Sequence, residues 1–192
     1  MIHSFTRDLE EHQQLFRTLE AVVPALERAI DRIAASLSSG CKLLLCGNGG
    51  SAADCQHIAA ELTGRFVADR RPLSAIALST DTSALTSIAN DYGFEEVFSR
   101  QVAGLGRTGD CLLAISTSGN SRNVIRAVET ARAAGVQTIG LLGRDGGKLR
   151  PLCDVAIVVS SETTARIQEA HIFLGHVLCE MIENRLGLRG QC

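Results

Sequence analysis

Five short apolar runs, each closed by a Gly- or Ser-rich turn and followed by a stretch with helical spacing, constrain this chain more than any other feature. They cover residues 42–46, 74–78, 111–115, 136–142 and 155–159. None alternates strictly between apolar and polar residues, and strands buried on both faces, as in parallel sheets, read this way. Residues 52–66, 82–90, 94–105 and 121–134 between them carry helical spacing, so the chain repeats a β-α-β unit. The pattern predicts an α/β fold: a doubly wound, mostly parallel five-stranded sheet flanked by helices.

Helical segments also bracket the sheet. Phe5, Leu9, His12, Phe16 and Leu19 recur every three or four residues. Leu26, Ile30, Ile33, Ala34 and Leu37 do the same before Ser38-Ser39-Gly40. Two N-terminal helices over residues 1–40 are therefore expected, then an α/β core over 41–160. A long C-terminal helix is expected within 161–192, carried by Ile167, Ala170, Leu174, Leu178 and Ile182. Its broad apolar face suggests burial against another subunit. With 192 residues, one domain spanning 1–192 is the expectation.

Charge and cysteine usage exclude several function classes. Lys and Arg total 19 against 21 Asp and Glu, so there is no basic field of the kind that gathers nucleic acid or anionic lipid. No apolar run approaches the ~18 residues of a membrane span, and the N-terminus has no apolar core of a secretory signal. A cytoplasmic location is the expectation, with neither nucleic acid nor membrane as partner. The seven cysteines (Cys41, Cys46, Cys55, Cys111, Cys153, Cys179 and Cys192) form no Cys-x-x-Cys pair. That argues against a disulfide frame or a thiolate zinc site. Most read as small buried hydrophobes, with Cys46 and Cys55 the candidates for a reactive thiol.

Two loops suit an anionic ligand, because ligands of open parallel sheets sit beyond the carboxyl ends of the strands, at helix N-termini. Ser116-Thr117-Ser118-Gly119-Asn120-Ser121 offers four hydroxyls leading into a helix, a cradle that binds a phosphate monoester without lysine. Turn and cap duty is the plainer role for such residues. Gly47-Asn48-Gly49-Gly50-Ser51 lacks the full dinucleotide spacing and the acidic residue that ribose recognition needs.

His57 and Glu61 stand four apart on one expected helix, so both side chains leave one face and can share a metal ion or a substrate. Taken alone, such a pair more often belongs to a solvated face. On the last helix the polar candidates are Gln168, His171 and His176. Gln168 and His176 are eight residues apart, about 12 Å along a regular helix, too far to meet at one ion. Either Gln168 lies at or before the helix start, or the two come from different subunits. For His171 the favoured role is a hydrogen-bonded histidine at a helix interface.

Together these stretches resemble the phosphoheptose isomerases within the sugar-isomerase (SIS) fold family. The resemblance runs through residues 46–54, 57–64, 90–94, 115–121 and 166–171 with His176, in family order. It implies conversion of D-sedoheptulose 7-phosphate into D-glycero-D-manno-heptose 7-phosphate, the entry to bacterial surface heptoses such as those of the lipopolysaccharide core. It further implies a homotetramer with active sites between subunits and one zinc ion per subunit. By position, His57, Glu61, Gln168 and His176 match the zinc-associated residues. Asn48, Gly49, Gly50, Ser51, Glu61, Asn90, Asp91, Ser116, Thr117, Ser118, Ser121 and Gln168 match the substrate-binding ones. Glu61 and His176 are the expected catalytic base and acid. Ala165 departs from the acidic residue or proline of some members. The alternatives are a non-catalytic SIS-fold tetramer that binds the replication initiator, and an isomerase or sensor for another sugar phosphate. Relatives of the first kind tend to lack one of Glu61 and His176.

Overall fold

A computed structural model describes residues 2–67 and 69–188, with the side chains of residues 2 and 3 outside that description. Five strands form one sheet: β1 (Leu43–Gly47), β2 (Ala75–Ala77), β3 (Cys111–Ser116), β4 (Gln137–Gly143) and β5 (Val155–Val159). Every pairing is parallel, in the order β2-β1-β3-β4-β5. The strands lack polar alternation because both faces are covered. Leu43 and Leu45 enter one apolar cluster, and Leu44 and Cys46 enter the other. On β3, Cys111, Leu113 and Ile115 likewise face away from Leu112 and Ala114.

The N-terminal segment is α1 (Ile2–Thr18) and α2 (Val23–Ser38), joined by a 3-10 turn at Leu19–Val22. The crossovers are α3 (Gly50–Thr63), α4 (Thr82–Tyr92), α5 (Ser99–Leu105) and α6 (Arg122–Ala133), and α7 (Thr164–Arg185) closes the fold. Helices α2, α3 and α7 bury apolar residues in the first cluster, α5 and α6 in the second. Residues 94–105 do not make the single helix their spacing predicts. A 3-10 turn at Phe94–Glu96 precedes α5, and Phe94 is exposed.

Two expectations are corrected by burial. Ile167, Ala170, Leu174, Leu178 and Ile182 of α7 are buried by the chain's own core. Among the described residues of this helix, only Phe173 and Met181 remain as large exposed apolar groups. The broad apolar face is thus largely used within one chain. Cys46 and Cys55 are fully buried, and desolvation holds both thiols far above their ordinary range, so neither is a reactive thiol. Cys111 and Cys179 are buried too, Cys41 and Cys153 partly, and Cys192 lies outside the described residues.

Candidate active site

Strand order reverses direction between β1 and β3, which makes the gap beyond their carboxyl ends the topological switch point where doubly wound sheets bind ligands. Both candidate loops lie there. Residues 48–49 link β1 to α3, and residues 117–121 link β3 to α6. They are stitched together by a reciprocal amide pair. Asn48 Nδ2 donates to Asn123 Oδ1 at 2.9 Å, and Asn123 Nδ2 returns a bond to Asn48 Oδ1 at 2.8 Å. Buried Asn123, which sequence reasoning missed, also accepts from the Val124 N–H.

The hydroxyl loop is braced rather than free. Ser116 and Ser121 share a hydrogen bond at 3.1 Å between their hydroxyls. Ser121 occupies the N-cap of α6 but makes no side-chain cap bond, so plain capping does not explain it. Ser118 Oγ accepts from the Asn120 N–H, and Asn120 Oδ1 accepts from the Lys148 N–H. The Leu149 N–H donates to the Gly119 carbonyl, so a 3-10 turn at Gly147–Leu152 supports the loop from below. Ser51 and Ser116 are buried, while Thr117 and Ser118 are half-exposed and Gly49 and Gly50 exposed.

Gln168 belongs to this end of the molecule. A β-carbon on Gly50 would fall 2.3 Å from Gln168 Nε2, so only glycine lets the amide lie over the start of α3. Gly50, Ala53, Asp54, Gln168, Glu169 and Ile172 line a cleft of about 320 Å³. Asp54 is a second residue that sequence reasoning missed. Its Oδ2 is buried without a partner, and burial raises its carboxyl above the usual range, with His57 opposing. Its signal lay in the sequence, one turn from both Gly50 and His57.

The acid–base candidates gather farther along α3. His57 Nε2 lies 2.9 Å from His176 Nε2 and 3.5 Å from Glu61 Oε1. One imidazole nitrogen must therefore donate and the other accept. The Phe66 ring packs on His176 with centroids 5.7 Å apart. What lets α7 approach is Gly175, whose β-carbon would stand 2.7 Å from Ile58 Cδ1 of α3. Glu61 and His176 thus converge on His57 within one chain.

Gln168 does not join them. It is the fifth residue of α7, not at or before its start, and the eight residues to His176 are helical throughout. About 12 Å of axis separates the two in one protomer. Asn90 and Asp91 also stand apart, at the exposed C-terminal end of α4, where Asn90 Nδ2 bonds Asp91 Oδ1 at 2.8 Å. His171 is fully buried with neither ring nitrogen in a well-formed hydrogen bond, in contrast to the bonded histidine expected. Burial lowers its pKa to about 4, with the nearby Leu142 backbone opposing.

Two imidazoles and a carboxylate are donors that suit zinc. Bonds of about 2.0–2.1 Å to a tetrahedral ion would set ligand atoms about 3.3 Å apart, between the 2.9 Å and 3.5 Å found around His57. The donor types and the two distances around His57 suit such an ion. Among the described residues, however, no three His, Cys, Asp or Glu side chains are placed so that together they could hold a metal ion.

A doubly wound sheet with paired crossover loops at its switch point is the layout of a SIS domain, and the SIS domain family model matches residues 9–143. The phosphoheptose isomerase of a Nitratiruptor species is 56% identical over 184 residues, covering 95% of this chain and 98% of the relative. The solved phosphoheptose isomerase GmhA from Neisseria gonorrhoeae matches at a TM-score of 0.90 and 47% identity, covering 95% of this chain and 98% of that one. For the phosphoheptose isomerase from Francisella tularensis the TM-score is 0.93 at 37% identity, with the same coverages. The chain belongs to the SIS-domain family and, within it, to the phosphoheptose isomerases, which are aldose–ketose isomerases. Among the described residues no helix is long and apolar enough to cross a membrane.

Proposed function

We propose that this chain interconverts D-sedoheptulose 7-phosphate and D-glycero-D-manno-heptose 7-phosphate for the synthesis of bacterial surface heptose, with Glu61 as base and His176 as proton carrier. The observation that carries this assignment is the convergence of Glu61 and His176 on His57, two to three turns along α3 from a braced hydroxyl loop. The 7-phosphate docks on Ser116, Thr117, Ser118 and Ser121, with the α6 N-terminus supplying positive potential. Asn48, Gly49, Gly50, Ser51 and Gln168 line the path of the sugar, and Asn90 and Asp91 contact it from a neighbouring protomer.

Glu61 removes a proton from C1 of the ketose as the C1–C2 double bond forms, and returns it to C2. His176 gives a proton to O2 and takes one from O1, so that the carbonyl moves from C2 to C1 with all atoms conserved. A zinc ion held by His57, Glu61 and His176, with Gln168 as a fourth ligand, would supply positive charge near the developing enediolate oxygen. The reacting carbons lie at the end of the substrate opposite its phosphate. The expected assembly is a homotetramer with sites between subunits, a reading supported by Gln168, which stands about 12 Å along α7 from His176 in one chain and would reach it from another protomer. The cytoplasm is the expected location.

Glu61→Gln keeps the shape and removes the base. Turnover followed by NMR on sedoheptulose 7-phosphate should fall about 10²–10⁴-fold, and full turnover would discard the assignment. Mixing Glu61→Gln protein with Gln168→Ala protein under subunit exchange should recover part of the lost activity, because some mixed sites then take both native residues. No recovery at all would put the site within one chain.

A further inference from the structure

A buried ion pair stands behind the acid–base cluster. Arg70 Nε lies 2.7 Å from Glu183 Oε1, and neither side chain has any exposure to solvent. Two charges are seldom buried together unless their remaining donors and acceptors are used. Arg70 uses all of its nitrogens, whereas Glu183 Oε2 is buried without a partner. Nη1 donates to the carbonyls of Leu62, Gly64 and Arg71 at 2.8, 3.1 and 3.0 Å, and Nη2 donates to the carbonyl of Glu61 at 2.8 Å.

Those carbonyls explain the arrangement. Helix α3 ends at Thr63, so the carbonyls of Glu61 and Leu62 fall in its last turn, where no later turn of the helix supplies a donor. The guanidinium fork donates to both, sharing the Leu62 carbonyl with the Leu73 N–H, and sets a positive charge at the negative end of the helix. Glu183, its partner, is seven residues after His176 on α7, and two helical turns put both side chains on one face. Glu183 Oε1 also accepts from the N–H of Phe66, the residue whose ring packs on His176. A single network therefore joins the backbone of Glu61, the ring over His176 and the α7 face from which His176 projects.

We propose that Arg70, held by Glu183, is a positioning residue that sets the reach of the Glu61 carboxylate towards the reacting carbons, relative to His176. Arg70 does not touch substrate; it acts through Glu61, and so depends on Glu61 being the base. Near-attack geometry is sensitive to displacements of about 1 Å, which cost about a hundredfold in rate. The hydroxyl loop sits at the other end of α3, so phosphate binding is insulated from the network.

Arg70→Lys tests this, because lysine keeps the charge and loses the fork that spans Glu183 and the α3 carbonyls. Assayed well below its unfolding midpoint, the variant should lose about tenfold to a hundredfold in kcat with KM within about twofold. Glu183→Gln, which keeps an acceptor for Arg70 and Phe66, should lose about threefold to tenfold in kcat with the same KM. In a Glu61→Asp background, whose carboxylate is already withdrawn by one methylene, Arg70→Lys should add less than about threefold, since interacting residues are not additive. A folded Arg70→Lys protein with kcat within twofold of the parent and only a lowered midpoint would make Arg70 a structural residue and overturn the proposal. So would a rise in KM at unchanged kcat, or an Arg70→Lys effect that multiplies in full on Glu61→Asp. If Arg70→Lys does not fold, Glu183→Gln decides: unchanged kcat overturns, a fall at constant KM supports. Full turnover in Glu61→Gln is a different failure, because it removes the base itself and the positioning role with it.

Discussion

The two ends of α3 are built on opposite terms. At its N-terminus the polar groups already satisfy one another: Asn48 with Asn123, Ser116 with Ser121, Ser118 with Asn120. Two to three turns on, His57, Glu61 and His176 face one another, with the His57 side chain about half exposed (48%) and the Phe66 ring against His176. The difference teaches that the proposed phosphate end is braced by its own hydrogen bonds, whereas the proposed chemical end rests on three side chains set against one another. Variants at the two ends should separate KM from kcat.

Between the ends lies His171, three residues after Gln168 and five before His176, and it sharpens the comparison through stability. Folded, its imidazole titrates near 4 because burial excludes the charged form. Unfolded, it titrates near 6.5. Between those values the unfolded chain binds a proton that the folded chain refuses, so stability rises with pH across the window and falls as pH drops from about 6.5 towards 4. Lowering pH from 7.5 to 4.5 should remove about 2–3 kcal/mol on this account. Urea unfolding at both pH values checks it: His171→Leu should show a smaller loss than the parent, and equal losses would assign the slope elsewhere.

Gly175→Ala strikes the chemical end alone. Its β-carbon would meet Ile58 Cδ1 at 2.7 Å, so α7 must move off α3 or Ile58 must shift. Overpacking of this kind costs about 1–3 kcal/mol. Because His176 is the next residue, kcat should fall several-fold while KM stays near the parent value, as steady-state kinetics on the folded variant would show. A KM change of equal size would mean that the two ends are mechanically coupled.

How far each end was legible follows from the range of its contacts. The five strands were readable because parallel strands buried on both faces become continuous apolar runs, and β5 matches its expected limits at residues 155–159. The hydroxyl loop was readable because its residues are adjacent in sequence. The break at Phe94 was not, since an aromatic that fits helical spacing gives no sign that it will face solvent. His57 and Glu61 resembled a solvated face because the partner that gives them meaning, His176, arrives from 119 residues away. Arg70 and Glu183 were missed for the same reason, being 113 residues apart. Asn123 looked like any polar residue in the first turn of a helix; its burial is a property of two loops meeting across the sheet.

Asn123→Ala probes that meeting. It removes both amide bonds and leaves Asn48 without its partner, in a half-buried site where an unpaired polar group costs about 1–3 kcal/mol. The effect should appear in thermal unfolding and in KM, because the first loop loses its tie to the second, with kcat moving less. Asn123→Asp keeps an acceptor for Asn48 Nδ2 and for the Val124 N–H, and should retain more of the binding. A variant with unchanged KM would show that the loops hold their places without the bridge.

Ser121→Ala is the finest test, since it deletes one hydroxyl from the cradle and leaves the backbone of α6 intact. Its neighbour Ser116 loses one hydrogen bond at 3.1 Å. A neutral hydrogen bond contributes about 0.5–1.5 kcal/mol, so KM should rise about twofold to tenfold at nearly constant kcat. The Ser121 side chain makes no cap bond, so helix stability should change little, and the melting temperature separates loss of a phosphate contact from loss of a cap. A fall in kcat at constant KM would place Ser121 with the chemistry and erase the division between the two ends of α3. A lowered melting temperature at constant KM would return the hydroxyl to ordinary loop structure, leaving the phosphate to Ser118, Thr117 and the backbone of the α6 N-terminus.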